Sequence, residues 1–581
     1  MKNIEGGESV DGVKRNIDVA MGRAKADLVL KNANFINVFT ESIDRGDIAI
    51  VGETIVGIGE YTGDAEIDCN DLYVTPGFID AHVHMESSMI MPQQFGEVVI
   101  KKGVTTIIAD PHEMANIDGM DGIRFMLKNS KETPIDIFFM LPSCVPAIKI
   151  EDSGYTLNSE DLEELINDNR VLGLGEVMDV SAVVNLDENI LKKIDMAKHK
   201  HIDGHCPNIS QRELNAYLSC GIRTDHECTN IVEAAHKVSR GMYVMLREGS
   251  AARNLKDILP AVNNRNFGRF LFCTDDRHID DLLEMGSIDN CIRVSIKQGL
   301  SPIKAFIMAS YNAAKCYGLV DRGAIAPGYK ADLVLFEDLK GLNIKKIIKN
   351  GKVYSELQDK KYFNLKINSS MHMDFINSDI FKVKNRVEHI NVIKLIPNSL
   401  QTKLVKKKME NEFGYIKRSM EKDILKIAVI ERHHNTGKHF VAFIEGLGLK
   451  HCSIAQTIAH DSHNVIVVGD NDKDMEVAVN TLVTSGGGIA MVSEGKVIAQ
   501  LNLPIGGIMT FETPYMVAEN LKRLSRIARN FGVRDEYDPF ITLSFMALPV
   551  IPEVKITSKG LFHYNKHEFI ELMSDNEENK K

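Results

Sequence analysis

The chain has 581 residues, of which 44% are hydrophobic and 26% charged, and its formal net charge is −11. This length predicts more than one folded core, and the composition is typical of a globular protein. The negative charge, with no long basic block, argues against a nucleic-acid partner. Apolar stretches all fall short of the ~18 residues that a membrane span needs, so no membrane partner is expected.

Cysteine usage predicts a cytoplasmic location. The chain has nine cysteines, an odd number, and none of them forms a Cys-x-x-Cys pair. Such a set is typical of reduced thiols in a reducing compartment. The first eight residues also lack the apolar core of a signal peptide, which agrees with that location.

The first predicted elements are short strands that begin with a pentapeptide, Ala-Asp-Leu-Val-Leu at 26–30, which is repeated at 331–335. Strand candidates follow each copy, and Asn350-Gly351 after the second copy is a strong hairpin signal. We therefore predict one small β-sandwich domain built from 1–75 and 322–365, with residues 76–321 inserted between its two parts. A chance repeat of five common residues is the alternative.

The next feature in chain order is His82-Val83-His84, which follows the strand candidate 72–74 and the break Pro76-Gly77. Two histidines separated by one strand residue point to the same face, where they can hold one cation. The pattern His-x-His is common by chance. It is significant here because further residues that can bind a metal follow it in the sequence.

Four later residues of ligand type each follow a short apolar run: Glu176, His205, His226 and Asp275. Stretches with helical spacing lie between these runs, and strands that alternate with helices predict a parallel sheet. A (β/α)8 barrel gathers such residues at the carboxyl ends of its strands. A doubly wound open sheet would not readily bring six ligands from five strands to one point.

Imidazole and carboxylate ligands without thiolates suit zinc, manganese or iron. Four histidines and two carboxylates exceed what one tetrahedral ion needs, whereas two ions bridged by Glu176 and a hydroxide would use all six. Such a pair of ions lowers the pKa of bound water, so hydrolysis is the expected chemistry. Alone, His205 or His226 would be explained as a buried structural histidine and Asp275 as a helix cap; their joint order favours a metal centre.

Longer motifs surround these residues: His-Met-Glu-Ser-Ser-Met at 84–89, Asp-Pro-His-Glu at 110–113, Thr-Asp-His-Glu at 224–227, Arg-Glu-Gly-Ser-Ala-Ala-Arg-Asn at 247–254, Cys-Thr-Asp-Asp-Arg-His at 273–278 and Ala-His-Asp-Ser-His-Asn at 459–464. With these motifs the chain resembles the amidohydrolase superfamily, and within it the adenine deaminases, which are distinct from adenosine deaminase. The resemblance is weakest before residue 25 and between about 360 and 425. Val177 departs from it, standing where the family has methionine.

The resemblance implies hydrolytic deamination of adenine to hypoxanthine and ammonia, a reaction of purine salvage. It implies two divalent ions, manganese first with iron or zinc as alternatives, on ligands that match the superfamily pattern. In this sequence those ligands are His82, His84, Glu176, His205, His226 and Asp275. Glu176 would bridge the ions, and Asp275 would take the proton of the attacking hydroxide and pass it on. Candidates for reading the purine edge are Glu86, Ser87, Glu113, Arg247, Glu248 and Ser250, although ion pairs within loops explain Arg247 and Glu248 equally well.

The last region, 366–581, is predicted to be an α+β domain, with helices over 472–483 and 513–531. Its polar cluster (His433, His434, His460, Asp461 and His463) fits no closed structural-zinc spacing. We expect some of these residues to pack against the barrel mouth and shape the pocket. Gly486–Gly488 lacks the Lys-Ser/Thr of a phosphate-binding loop, so a tight turn is expected there. This large domain and exposed strand edges are compatible with a homo-oligomer.

Three other functions fit parts of the pattern. The first is another amidohydrolase reaction, such as hydrolysis of a cyclic amide or deamination of a different nucleobase, but cyclic-amide enzymes usually have a carboxylated lysine where this chain has Glu176. The second is a mononuclear deaminase in which Glu176 donates a proton. The third is a scaffold without chemistry, and six intact ligands argue against it.

Overall fold

The structure is a computed structural model, and it describes residues 9–355 and 370–573. The described part of the chain begins with one helix, which Ser9 caps by accepting a hydrogen bond from the backbone N–H of Gly12. Five strands follow this helix. The bounds are α1 Val10–Ala20, β1 Ala26–Asn37, β2 Ser42–Val51, β3 Thr54–Gly59, β4 Gly63–Asp68 and β5 Tyr73–Pro76.

Eight parallel strands then form a barrel. Their bounds, with a short ninth strand, are β6 Phe78–His84, β7 Val104–Ala109, β8 Asp136–Leu141, β9 Val171–Val177, β10 His201–Gly204, β11 Thr224–Asp225, β12 Tyr243–Arg247, β13 Phe270–Cys273 and β14 Asp275–Asp276. Hydrogen bonds run in the order β10-β9-β8-β7-β6-β14 and, separately, β11-β12-β13. Because β13 packs beside β6 and β10 beside β11, the two sheets close on each other.

Helices connect the barrel strands: α2 Pro92–Ile100, α3 His112–Asn129, α4 Ser159–Leu162, α5 Val180–Val184, α6 Glu188–Met196, α7 Gln211–Ser219, α8 Ile231–Val238, α9 Leu255–Ile258, α10 Ile279–Glu284, α11 Ile288–Lys297, α12 Pro302–Met308 and α13 Tyr311–Cys316. The predicted alternation of strands and helices is confirmed. Helical spacing also predicts a helix over 159–169, and this prediction is wrong beyond the first turn, Ser159–Leu162. Turns replace it, and Asp168 closes the last one by accepting a hydrogen bond from the Arg170 N–H.

Three strands after the barrel, β15 Leu333–Phe336, β16 Ile344–Lys349 and β17 Lys352–Val353, complete the first sheet. β5 pairs in parallel with β1 and antiparallel with β15, so segments from both flanks of the barrel join in one sheet, whose inner side chains share a core. The domain bounds from the sequence stay a prediction, and the bound at 365/366 lies outside the described residues.

The C-terminal region is built on an eight-stranded sheet ordered β19-β18-β23-β22-β25-β24-β26-β27, with α14 packed on it. The bounds are β18 His389–Leu395, β19 Thr402–Lys408, β20 Asn411–Glu412, β21 Tyr415–Ile416, β22 Ile424–Ile430, β23 His439–Glu445, β24 Ser453–Gln456, β25 Val465–Gly469, α14 Asp472–Ser485, β26 Gly488–Ser493, β27 Lys496–Asn502, α15 Pro514–Asn530, α16 Pro539–Ser544, β28 Val554–Thr557, β29 Gly560–His563 and β30 Glu568–Ile570. All three glycines from 486 to 488 have positive φ, which confirms the predicted turn. In the described ranges, helices are too short or too polar to span a bilayer.

Candidate metal centre and active site

The barrel strands place six ligand-type side chains at one end. His82 and His84 end β6, and Glu176 lies near the end of β9. The other three come directly after a strand: His205 after β10, His226 after β11 and Asp275, which opens β14, just after β13. All six are buried, the most exposed at 7%. Parallel strands direct their carboxyl ends to the same rim, which is why residues so far apart in sequence can meet.

The two oxygens of Glu176 face two separate pairs of histidines. Oε1 lies 3.6 Å from His82 Nε2 and 3.3 Å from His84 Nε2. Oε2 lies 2.8 Å from His205 Nδ1 and 3.3 Å from His226 Nε2. A carboxylate between two nitrogen pairs is the arrangement expected of a ligand that bridges two cations.

Asp275 completes the group on the side of the first pair. Its Oδ1 lies 3.4 Å from His82 Nε2 and 3.2 Å from His84 Nε2, and its Oδ2 accepts a 2.8 Å hydrogen bond from Arg247 Nη1. Burial would raise the pKa of Asp275, but Arg247 and the histidines hold it well below its usual value. The Asp275 side chain is therefore an anion, as a metal ligand must be.

Neighbouring groups orient the candidate ligands. His84 Nδ1 lies 2.9 Å from the backbone oxygen of Asp110, which fixes the hydrogen on Nδ1 and leaves the Nε2 lone pair toward the centre. Asp110 Oδ2 accepts a hydrogen bond from the backbone N–H of Glu176. A Cβ at Gly175 would lie 2.1 Å from Asp110 Oδ2, so this close approach requires glycine beside Glu176.

A cavity opens above the candidate ligands and continues into an adjoining space. The first part is lined by His112, Arg247, Asp276, Asp461 and Phe545 together with five candidate ligands, His84, Glu176, His205, His226 and Asp275. The second part shares Asp276 and Phe545 with it. Of the predicted substrate residues, Arg247 lines the first part, and the second part is lined by Glu86, Ser87, Glu113 and Ser250.

Glu248 lines neither part of the cavity. Its backbone oxygen accepts a hydrogen bond from Arg277, and its carboxylate faces the positive charges of Arg253 and Arg277. Arg247 is held in an ion-pair network, because Nη1 bonds both Asp275 and Glu227. The geometry therefore favours a role for Arg247 in holding Asp275, and it gives Glu248 no contact with a ligand in the cavity.

Two further residues line the cavity: His112, to which the sequence assigned no role, and Asp461, which belongs to the cluster expected to shape the pocket. His112 begins α3 directly after β7, and its Nδ1 lies 3.4 Å from Glu176 Oε1. Its place after a barrel strand is the same signal that marked the other histidines. Asp461 comes from the C-terminal region, and its Oδ2 lies 3.8 Å from His112 Nε2. Burial raises the pKa of Asp461 to about 6.

The C-terminal polar cluster divides into separate contacts. His460 Nδ1 donates a 2.8 Å hydrogen bond to Glu113, and its ring packs on Phe545 with centroids 4.4 Å apart. His433 Nε2 instead donates to the backbone oxygen of Ser462. His463 Nε2 lies 3.5 Å from Glu113 Oε2. The structure thus shows this cluster packed against the barrel mouth.

Glu113, His460 and His463 lie close enough together to hold a metal ion. The hydrogen-bond pattern argues against one, because His463 Nδ1 accepts a hydrogen bond from the Ala459 N–H. That bond leaves the hydrogen of a neutral imidazole on Nε2, the atom that faces Glu113. His463 Nε2 then carries a hydrogen toward Glu113 Oε2, 3.5 Å away, and has no lone pair for a cation.

Comparisons with known proteins agree with this architecture. Residues 73–354 match the amidohydrolase family, and residues 399–568 match the adenine deaminase C-terminal domain. An adenine deaminase of Clostridium acetobutylicum is 46% identical, with 96% of this chain and 100% of that protein covered. Adenine deaminase 2 of Carboxydothermus hydrogenoformans is 47% identical, with 94% and 97% covered, and an adenine deaminase of Bacillus pumilus is 44% identical, with 97% and 99% covered.

The chain belongs to the adenine deaminase family. The predicted fold class, a TIM-like α/β barrel with a flanking small β-domain and a C-terminal α+β domain, is confirmed. Membership of the amidohydrolases implies divalent metal binding, and the structure has ligand groups that fit it. The assignment of individual ligands stays a prediction.

Proposed function

We propose that this protein hydrolyses adenine to hypoxanthine and ammonia. The observation that supports the proposal most directly is Glu176, whose two oxygens face two histidine pairs beside Asp275. Relatives of nearly the same length carry the name adenine deaminase. The cavity above these residues offers both hydrogen-bond donors and acceptors to a nitrogen heterocycle.

We assign two divalent ions to the site, with manganese as the first choice and iron or zinc as alternatives. His82 and His84 would hold one ion, His205 and His226 the other, and Glu176 would bridge them, with Asp275 on the first ion. Two ions bound there would lower the pKa of water and so supply the nucleophile at neutral pH.

Asp275 is placed to move the proton. Its Oδ1 faces the histidines while Arg247 holds its Oδ2, so the carboxylate is fixed beside the centre as an anion. It takes the proton of the attacking water and passes it toward a ring nitrogen or the departing amine. Phe545 and Leu548 cover the cavity from the C-terminal side and limit the access of bulk water.

The nine cysteines all lie in described parts of the chain and all are free thiols, eight of them buried. This supports a cytoplasmic location, because thiols persist unpaired in a reducing compartment.

The test is ammonia release from adenine, adenosine, guanine and cytosine by protein loaded with manganese, together with metal analysis. We expect release from adenine alone and about two ions per chain. Glu176→Gln should lose metal and activity together, whereas Glu163→Gln, on the surface, should change neither. No ammonia from adenine would refute the proposed activity, and one ion per chain would refute the bridge.

A further inference from the structure

A loop of the C-terminal domain, residues 459–464, enters the mouth of the barrel. His460 and His463 face Glu113, and Asn464 Nδ2 donates a 2.7 Å hydrogen bond to the backbone oxygen of Asp152. The backbone N–H of His460 donates to Ser544, which lies in the same domain. These contacts fix the loop against the barrel, and within the loop Ser462 Oγ accepts a hydrogen bond from Asn464 Nδ2, so Asp461 has a defined position.

Asp461 Oδ2 has no hydrogen-bond partner among the residues that the structure describes. The residue is 3% exposed, and the nearest ring nitrogen, His112 Nε2, lies 3.8 Å away, beyond hydrogen-bond distance. A buried carboxylate oxygen without a donor is costly to maintain. Asp461 lines the same cavity as the candidate metal ligands, so a ligand in that cavity can supply the donor.

We propose that Asp461 is a substrate-binding residue, which accepts a hydrogen bond from the ring N–H of bound adenine. The inference rests on the proposed function, and it makes the active site a product of two domains: the barrel supplies the metal ligands, and the C-terminal domain supplies a contact to the base. A carboxylate accepts and cannot donate when ionised, so at this point it selects a base that presents an N–H.

The order of the groups in the cavity indicates that Asp461 binds the ring N–H of adenine and not its exocyclic amine. The imidazole of His112 lies between Asp461 and Glu176, with Nε2 toward the first and Nδ1 toward the second. Asp461 is therefore about one ring width farther from the metal-facing carboxylate. When the carbon that bears the amine lies at the centre, the imidazole half of the purine extends away from it and presents the ring N–H.

The experiment compares Asp461→Asn with the wild type in the full-length, manganese-loaded protein. Its readouts are kcat and KM for adenine, the inhibition constant of unsubstituted purine, metal content and Tm. Purine keeps the ring N–H and lacks the amine. Loss of a charge-assisted hydrogen bond predicts that KM for adenine and the inhibition constant of purine rise together, by about 10- to 100-fold. The metal content should stay at the wild-type value, and Tm should not fall, because the substitution removes a buried charge.

Asp461→Ser is a second, smaller variant with the same expectation. Asp470→Asn is the matched control, since Asp470 is a buried carboxylate of the same domain that lines neither part of the cavity. The inference is overturned if KM and the purine constant stay within about twofold of wild type, if only adenine is affected, or if metal is lost with activity. If the wild-type protein releases no ammonia from adenine, the proposed function is refuted instead. The inhibition constant of purine, replaced by its dissociation constant in that case, would still test the role of Asp461.

Discussion

Lys555 offers a stringent test of the electrostatic reasoning, because it is a buried amine with little to support its charge. It lies in β28, is fully buried and donates one 2.7 Å hydrogen bond, to the backbone oxygen of Leu400. Within the described ranges no carboxylate forms an ion pair with it. Burial lowers the pKa of Lys555 from 10.5 to about 7.

The shift has a definite sign. Between pH 7 and 10.5 the unfolded chain binds a proton at Lys555 and the folded chain does not, so this residue makes stability rise with pH across that window. At pH 7 the cost to the folded state is about 4 kcal/mol. Lys555→Met removes this cost and leaves the oxygen of Leu400 unpaired, which costs roughly 1–3 kcal/mol. The variant should therefore be more stable than wild type at pH 7, by about 1–3 kcal/mol.

The assay is thermal unfolding of the manganese-loaded protein from about pH 6.5 to about pH 10. We expect Lys555→Met to raise Tm at pH 7 and to lose that advantage as the pH approaches the ordinary pKa of lysine. The activity of the variant toward adenine at pH 7 serves as the control for folding. A Tm difference that does not change with pH, or a less stable variant at pH 7, would refute the burial argument.

Three further predictions concern the candidate site. Asp275→Asn should abolish turnover and keep most of the metal, and a near-normal rate would contradict the proton role. Arg247→Met removes the partner of Asp275 Oδ2 and should lower kcat by about 10- to 100-fold with metal retained, whereas loss of metal would make Arg247 a structural residue instead. Removal of metal by a chelator should lower Tm and activity, because buried ligand groups lose their charge partner, and added manganese should restore both.

Local rules predicted the candidate metal centre because strand geometry is periodic. The period of two places His82 and His84 on one face, and the end of each barrel strand marks where the next ligand type stands. The structure brings six such side chains together, although their roles as ligands stay a prediction. The same rule applies to His112, which follows β7 but is not part of the superfamily's ligand pattern.

Glu248 shows where a motif misleads. It stands beside Arg247 in one sequence motif, which predicts that both side chains read the purine edge. Arg247 is the last residue of β12, and successive side chains of a strand point to opposite faces. Once Arg247 faces the cavity, Glu248 must face away from it, toward Arg253 and Arg277. The two-residue period that places His82 and His84 on one face thus argues against Arg247 and Glu248 both facing the cavity.

The contribution of the C-terminal domain had no comparable signal. His460 meets Glu113, and Asp461 meets His112, across nearly 350 residues of chain, and no periodicity links the two segments. Their pairing depends on how two folded cores pack. A metal centre built from one barrel can therefore be predicted from sequence, whereas a contact that selects the base becomes visible only when both domains are placed together. Selection of the base and activation of water are accordingly separable by mutation, with Asp461 affecting the first and Asp275 the second.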